Sequence, residues 1–272
     1  MIPRVLFASV VVVLGLNLHS QQPAPVQEQP TAQPFFPRIG EEKPPTDLND
    51  EDAMTNWLTT GDHMAERMAS LGVESKFAKE WTSAAEERSA IYPRFKSFRV
   101  GADRQSTVLF LPCIPFIQTA YLYLLAPENN QWKVTDHLEL DCHYDDNVSF
   151  EIASIRDLKL DEILIHHACS GRGTGYLEQS FYIYAVNGRK FKEEMQTDEI
   201  LREHPAGGSI DLDQASIFTS IPVTGSHSRV IEETRSQTRN GKLAVQRRLL
   251  RWNPTHARYE PSPFTPVQAS AN

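Results

Sequence analysis

The chain has 272 residues, 40% hydrophobic and 23% charged, a balance that fits a folded globular protein with one sizeable core or two small ones. Its 35 acidic against 27 basic side chains give a formal charge of −8, which argues against nucleic acid as a partner and against an anionic membrane surface. No motif with a fixed catalytic spacing runs through it.

Residues 1–20 read as a secretory signal peptide. Arg4 supplies the positive start, Val5 to Leu18 the apolar run, and Leu18-His19-Ser20 the cleavage site. The run is shorter than the roughly 20 residues a spanning helix needs, so no membrane insertion is expected after cleavage. The mature chain is expected to begin near Gln21, in a secreted or periplasmic location. Loss of Arg4 moves its formal charge from −8 to −9.

Residues 21–45 are rich in Pro and Gln and nearly devoid of aliphatic side chains, so a disordered tether is expected there. Residues 46–93 read as a helical cap. Met54, Trp57, Leu58, Met64, Met68 and Leu71, then Phe77, Trp81, Ala84 and Ala85, recur at helical spacing. Asp47 or Asn49 is expected to cap the first of two helices, Gly72 to separate them, and Pro93 to end the region.

The rest, residues 94–264, reads as a β-repeat domain, with 265–272 as a disordered tail. Gln118-Thr-Ala-Tyr-Leu-Tyr123 matches Gln179-Ser-Phe-Tyr-Ile-Tyr184 without a gap. Around that match Phe98-Arg99-Val100 and Val108 to Leu111 correspond to Phe150-Glu151-Ile152 and Ile163-Leu164-Ile165. Turn residues follow, Pro127 to Asn130 in one copy and Asn187-Gly188 in the other, each leading to an aromatic-Lys pair, Trp132-Lys133 or Phe191-Lys192. A third copy uses Ile217-Phe218, Arg229 to Ile231, Leu243 to Trp252 and Arg258-Tyr259. The fold class implied is mainly β with an N-terminal helical segment: three four-stranded antiparallel meanders, propeller-like or forming a curved sheet or sandwich. A lone meander exposes an apolar face that stacking of copies buries.

Asn240-Gly241 predicts a type I′ hairpin turn, which pairs Arg239 with Lys242, Glu233 with Arg248 and Ile231 with Leu250. The face carrying Leu243, Val245 and Leu249 is expected to be the more buried one. Eight Lys or Arg between Ser228 and Tyr259 then read as a solvated hairpin face, or as a patch for an anionic glycan or peptide.

Three cysteines, Cys113, Cys142 and Cys169, imply one disulfide and one free thiol in an oxidising compartment, with Cys142 paired to either Cys113 or Cys169. No metal site is expected. Adjacent His166 and His167 on a strand point to opposite faces, and no zinc-type spacing accompanies them.

Phe150 to Asp157 followed by Asp161-Glu162-Ile163-Leu164-Ile165 resembles the repeat of integrin-type propeller proteins (FG-GAP or VCBS-like), over about a fifth of the chain. In that family the loop carries alternating carboxylates for Ca²⁺. Here Leu158 and Lys159 break the ligand series, so no cofactor is expected. The Gly-rich loop from Ser170 to Tyr176 is the candidate binding element. Its glycines allow close backbone approach, and Ser170, Arg172, Tyr176 and nearby His166 supply contacts. It also resembles the inserted loops of periplasmic lysozyme inhibitors.

The leading functional expectation is an exported, non-enzymatic binding protein whose partner is an extracytoplasmic protein or glycan. One alternative is a secreted hydrolase drawing on Asp141, His143, Asp145, Asp146 and His166. Another is a periplasmic enzyme inhibitor acting through residues 170–176.

Overall fold

A computed structural model describes residues 44–47, 49–87, 91–101, 104–114, 117–129, 131–141, 148–156, 159–171, 176–203, 212–225, 229–239 and 241–267. Among the described residues no helix is long and apolar enough to cross a membrane.

Three helices, not the expected two, open the described chain: α1 (Glu51–Thr59), α2 (Met64–Leu71) and α3 (Ser75–Glu86). The cap of α1 is Asp50, whose carboxylate accepts from the Ala53 amide at 2.9 Å, whereas Asp47 closes a local turn on Asn49. The extra break falls at Gly61, which takes a φ of 73° between α1 and α2. Gly72 ends α2 as expected. Its φ of 104° lets its amide and that of Val73 turn back onto the Met68 and Ala69 carbonyls.

Thirteen strands follow among the described residues, all paired antiparallel. β1 (Arg94–Gly101), β2 (Arg104–Leu111), β3 (Thr119–Glu128) and β4 (Gln131–Asp141) form one sheet in chain order. β5 (Val148–Ala153), β6 (Glu162–Gly171), β7 (Tyr176–Asn187), β8 (Lys190–Glu203), β9 (Leu212–Pro222), β10 (Arg229–Arg239), β11 (Lys242–Asn253), β12 (Arg258–Pro261) and β13 (Thr265–Pro266) form the other, with β13 on β11 beside β12. The three expected units are therefore β1–β4, β5–β8 and β9–β12. The matched hexapeptides fall on the equivalent third strands, β3 and β7. The second and third units are not separate blades, because β8 and β9 pair from Ile200↔Ala215 to Glu203↔Leu212. Neither sheet closes on itself, so the curved-sheet or sandwich arrangement is the one found.

The layers stack in chain order. Phe95, Leu109, Leu111, Tyr123 and Leu125 on one face of the first unit pack against Met54, Leu58, Met68, Leu71 and Trp81 of the helices. Phe98, Val108, Phe110, Leu122 and Leu124 on its other face meet Val148, Ile163, Ile165 and Tyr184 of the second unit. Two covered faces explain why Val108 to Leu111 and Leu122 to Leu125 are unbroken apolar runs without alternation. The far face of the second unit, with Leu164, Phe181, Ile183 and Met195, meets Ile231, Leu250 and Tyr259 of the third. Burying each such side chain contributes roughly 1.5–3 kcal/mol.

The hairpin register is as predicted: Arg239↔Lys242, Glu233↔Arg248 and Ile231↔Leu250, with Gly241 at a φ of 73°. Its orientation is the reverse of the one expected. Glu233, Ile231 and Leu250 are buried, while Leu243 is 68% exposed and Val245 and Leu249 are only partly covered. The second unit offers an apolar face plus paired polar groups, and the face holding Ile231, Leu250, Trp252 and a neutralised Glu233 fits it. Leu243 lies on the other face, turned away from that layer, beside the turn.

Candidate functional site

The two inner interfaces differ in chemistry. Between helices and first unit, and between first and second units, the core is apolar, with charged contacts such as Glu51–Lys96 and Arg99–Asp161 beside it; between second and third units lie three carboxylates with at most 4% exposure, Glu162, Glu194 and Glu233. We refer to this last interface as the wedge.

Two β-bulges on β8 build part of it. The β7–β8 register runs Ile183↔Met195 then Tyr184↔Glu193, and Gln179↔Ile200 then Ser180↔Asp198, leaving Glu194 and Glu199 as the extra residues. An extra residue in a strand re-aims its side chain. Glu194 accepts from Arg156 Nη1 at 2.9 Å. Glu199 accepts from Gln179 at 2.6 Å and pairs with His166 Nδ1 at 2.7 Å.

At one end of the wedge Glu162 accepts from the Ile155 amide at 2.9 Å and from the Tyr259 hydroxyl at 3.4 Å, with Arg156 Nε at 3.5 Å. The Arg156 guanidinium lies 4.1 Å from the Trp252 ring centroid. Burial pushes the Glu162 carboxyl up to about 7, although the Ile155 amide and Arg156 pull the other way. Burial likewise raises Glu194, against Arg156, and raises the Tyr259 hydroxyl.

Farther along, Glu233 accepts from Arg235 Nε at 3.0 Å, Arg248 Nε at 2.6 Å and Ser216 Oγ at 2.8 Å. Both guanidiniums face the Phe264 ring, at 4.6 Å for Arg235 and 4.4 Å for Arg248. Arg248 also donates to Thr197 on β8 at 3.3 Å, which ties the third unit to the second. Beneath them Phe218, directly opposite Glu233 in the β9–β10 register, stacks on Phe181 at 4.5 Å.

His166 joins this wedge: its ring lies 5.0 Å from Phe181, and the hydrogen bond to Glu199 raises its pKa above the usual value against the effect of burial. Burial alone would raise Glu199, but the hydrogen bonds from His166 and Gln179 outweigh it and hold the carboxyl low. His167, on the opposite face as expected, bonds the Asp141 carbonyl. Tyr176 is exposed and donates to Glu178, which with burial pushes its hydroxyl up to about 12. It stands five positions along β7 from Phe181, the partner of His166, roughly 17 Å in an extended strand. The Tyr176 hydroxyl and His166 therefore do not converge. Arg172, His143, Asp145, Asp146 and Cys142 lie outside the described residues, as do the side chains of Ser170 and Cys169. No group of three or more His, Cys, Asp or Glu among the described residues is placed to hold a metal.

A separate cleft of about 750 Å³ lies between residues 44–46, the end of α2 and the β3–β4 turn. Two of its polar side chains are engaged: Trp132 Nε1 donates to the Pro45 carbonyl at 3.2 Å and Lys133 Nζ to the Ser70 carbonyl at 2.6 Å. The last residues of the expected tether are thus anchored to the β3–β4 hairpin.

Reasoning from sequence missed Glu194, Glu199, Glu233, Arg235 and Arg248 as site residues. A usable signal existed: Ile231, Glu233 and Arg235 share one strand face, as do Arg248, Leu250 and Trp252, so charges alternate in phase with large apolar residues. Comparison with family models, curated proteins and solved structures returns no match to this chain.

Proposed function

We propose that the protein is an exported, non-enzymatic binding protein whose ligand surface is the wedge between the second and third units. The observation that carries this reading is that the three buried carboxylates among the described residues, Glu162, Glu194 and Glu233, all lie at one interlayer contact. Apolar residues of similar size hold such a contact as well or better, since desolvating paired ions costs about as much as their attraction returns. The wedge also sets rigid, hydrogen-bonded side chains on strands, which suits recognition of a fixed ligand.

Export, and the resemblance of the second unit to integrin-type repeats, belong to the same proposal. The test is a thermal-shift screen of the mature protein against neutral and charged small molecules, short peptides and glycans. Hits should lose their effect in Gln237→Trp, which places a bulky ring two positions from Arg235. Hits indifferent to that substitution would locate function elsewhere, with the inhibitor reading through residues 170–176 next in line.

The hydrolase reading draws support from one feature, the raised Glu162 carboxyl beside Glu194. Against it, Glu162 is fully buried and its oxygens are taken by Ile155, Arg156 and Tyr259. Turnover of a glycan or peptide abolished by Glu162→Gln would overturn the binding assignment.

A further inference from the structure

We propose that the wedge takes a small organic carboxylate attached to a planar apolar group, with Arg235 and Arg248 holding the carboxylate and the Phe264 ring acting as the plug it displaces. This rests on the reading above and names the ligand chemistry.

Charge is the first reason. Two guanidiniums share the single carboxylate of Glu233, so the group as a whole is cationic. Arg235 commits Nε and Nη2 to Glu233 and Nη1 to Gln214; Arg248 commits Nε to Glu233 and Nη2 to Thr197. A guanidinium has five N–H donors, so both retain capacity for a planar carboxylate.

The second, independent reason is Gln214. It is 4% exposed, its Oε1 lies within hydrogen-bond distance of Arg235 Nη1 and Gln237 Nε2, and its Nε2 has no hydrogen-bond partner among the described residues. Buried amide donors are almost always matched to an acceptor. An anionic oxygen held by Arg235, the neighbour of this amide, would supply an acceptor of the right kind.

The third reason is the plug. Phe264 is only partly buried, and it lies on a short strap held by Ser262 N–H to the Leu249 carbonyl at 2.8 Å, Val267 N–H to the Val245 carbonyl at 2.9 Å and the two-residue β13. Its ring stands where a ligand would stand, against both cations, and the Phe218–Phe181 stack offers an apolar floor close by. A carboxylate suits this site better than a phosphate dianion, because Glu233 repels the second negative charge and an apolar floor gives it no solvation.

The test is calorimetric titration of the native protein, Phe264→Leu and Phe264→Ala with benzoate, and with benzyl alcohol as the uncharged control. Removing the plug removes the competitor, so both variants are expected to bind benzoate at least tenfold more tightly than the native protein, with no saturable binding of benzyl alcohol. Adding Gln214→Leu to Phe264→Leu should weaken benzoate severalfold while leaving near-UV circular dichroism unchanged. Should Phe264→Ala fail to fold, Phe264→Leu decides, since it keeps an apolar anchor and removes only the ring. Benzoate bound no more tightly by the folded variants, or benzyl alcohol bound equally, overturns the proposal. In that event a neutral compound that still binds and loses affinity in Gln237→Trp leaves the binding-protein reading standing; no compound of any class binding overturns both.

Discussion

Glu233 on β10 stands directly opposite Arg248 on β11, joined by a 2.6 Å hydrogen bond, and the pair faces the interior. Glu233 is fully buried and takes Arg235 and Ser216 as further donors. Such a cluster is strong against loss of one member and weak as a net source of stability. Glu233→Leu, which strands two partly buried guanidiniums, is expected to destabilise by about 2–4 kcal/mol, below the loss for a fully buried pair because water reaches both arginines. The triple change Glu233→Leu/Arg235→Leu/Arg248→Met should recover most of that. Urea midpoints at constant slope measure both; a triple variant as unstable as the single one would show that the cluster itself holds the fold.

Much of the architecture was legible because turn chemistry and strand periodicity act locally. Asn240-Gly241 set the register of β10 and β11, and the Tyr121/Tyr123 and Tyr182/Tyr184 match marked equivalent strands of two units. The orientation of the hairpin was not legible. Ranking faces by hydrophobicity favours Leu243, Val245 and Leu249, and a reader of one strand pair cannot see that Thr197 and Ser216 will satisfy Arg248 and Glu233. The bulges at Glu194 and Glu199 left no trace either, since an acid-rich stretch such as Glu193-Glu194 or Asp198-Glu199 looks the same with or without an extra residue. The candidate site was therefore placed on the 170–176 loop, with only His166 shared between expectation and wedge.

Gly241 tests how strongly the turn fixes that register. Its φ of 73° is strained for any residue with a Cβ, and a Cβ there would meet no heavy atom within 4 Å. Gly241→Ala should thus cost about 1 kcal/mol from backbone conformation alone. Hydrogen exchange should show the Glu233↔Arg248 pairing intact; a loss beyond about 3 kcal/mol would mean that the turn is coupled to the buried pair.

The anchor of residues 44–46 is separable from what precedes it. Trp132→Phe removes the donor to the Pro45 carbonyl and should cost about 1 kcal/mol. Proteolytic trimming that stops before Pro44 should leave Tm unchanged. Equal Tm loss on trimming and on substitution would place the stabilising contact earlier in the chain.

The cysteine pairing we propose is Cys113 with Cys142. In the first sheet Leu111↔Tyr121 and Thr119↔Asp141 put the end of β2 and the end of β4 at the same end of β3, one on each side of it. Non-reducing peptide mapping of the exported protein is expected to find this bridge and one alkylatable thiol, Cys169, in a chain whose intact mass begins near Gln21. Rapid alkylation of Cys113 in the native protein would exclude the bridge.

Acidity should stabilise the wedge through Glu162. Its folded pKa of about 7 lies above the ordinary 4.5, so between those values the folded state binds a proton that the unfolded state has released. Stability from this group is therefore fully present below about pH 4.5 and is lost as pH rises toward 7, by an amount on the order of 3 kcal/mol. Burial raises Glu194 in the same sense, whereas Asp161, held near 2 by Arg99 and Ser154 despite its burial, contributes stability that is lost only in stronger acid. Glu162→Gln keeps the shape and removes the titration. Its stability relative to the native protein should rise across pH 4.5 to 7 and level off above, as read from paired urea curves at each pH. A difference that stays flat across that interval would mean that Glu162 remains charged inside the fold, with Arg156 carrying the compensation.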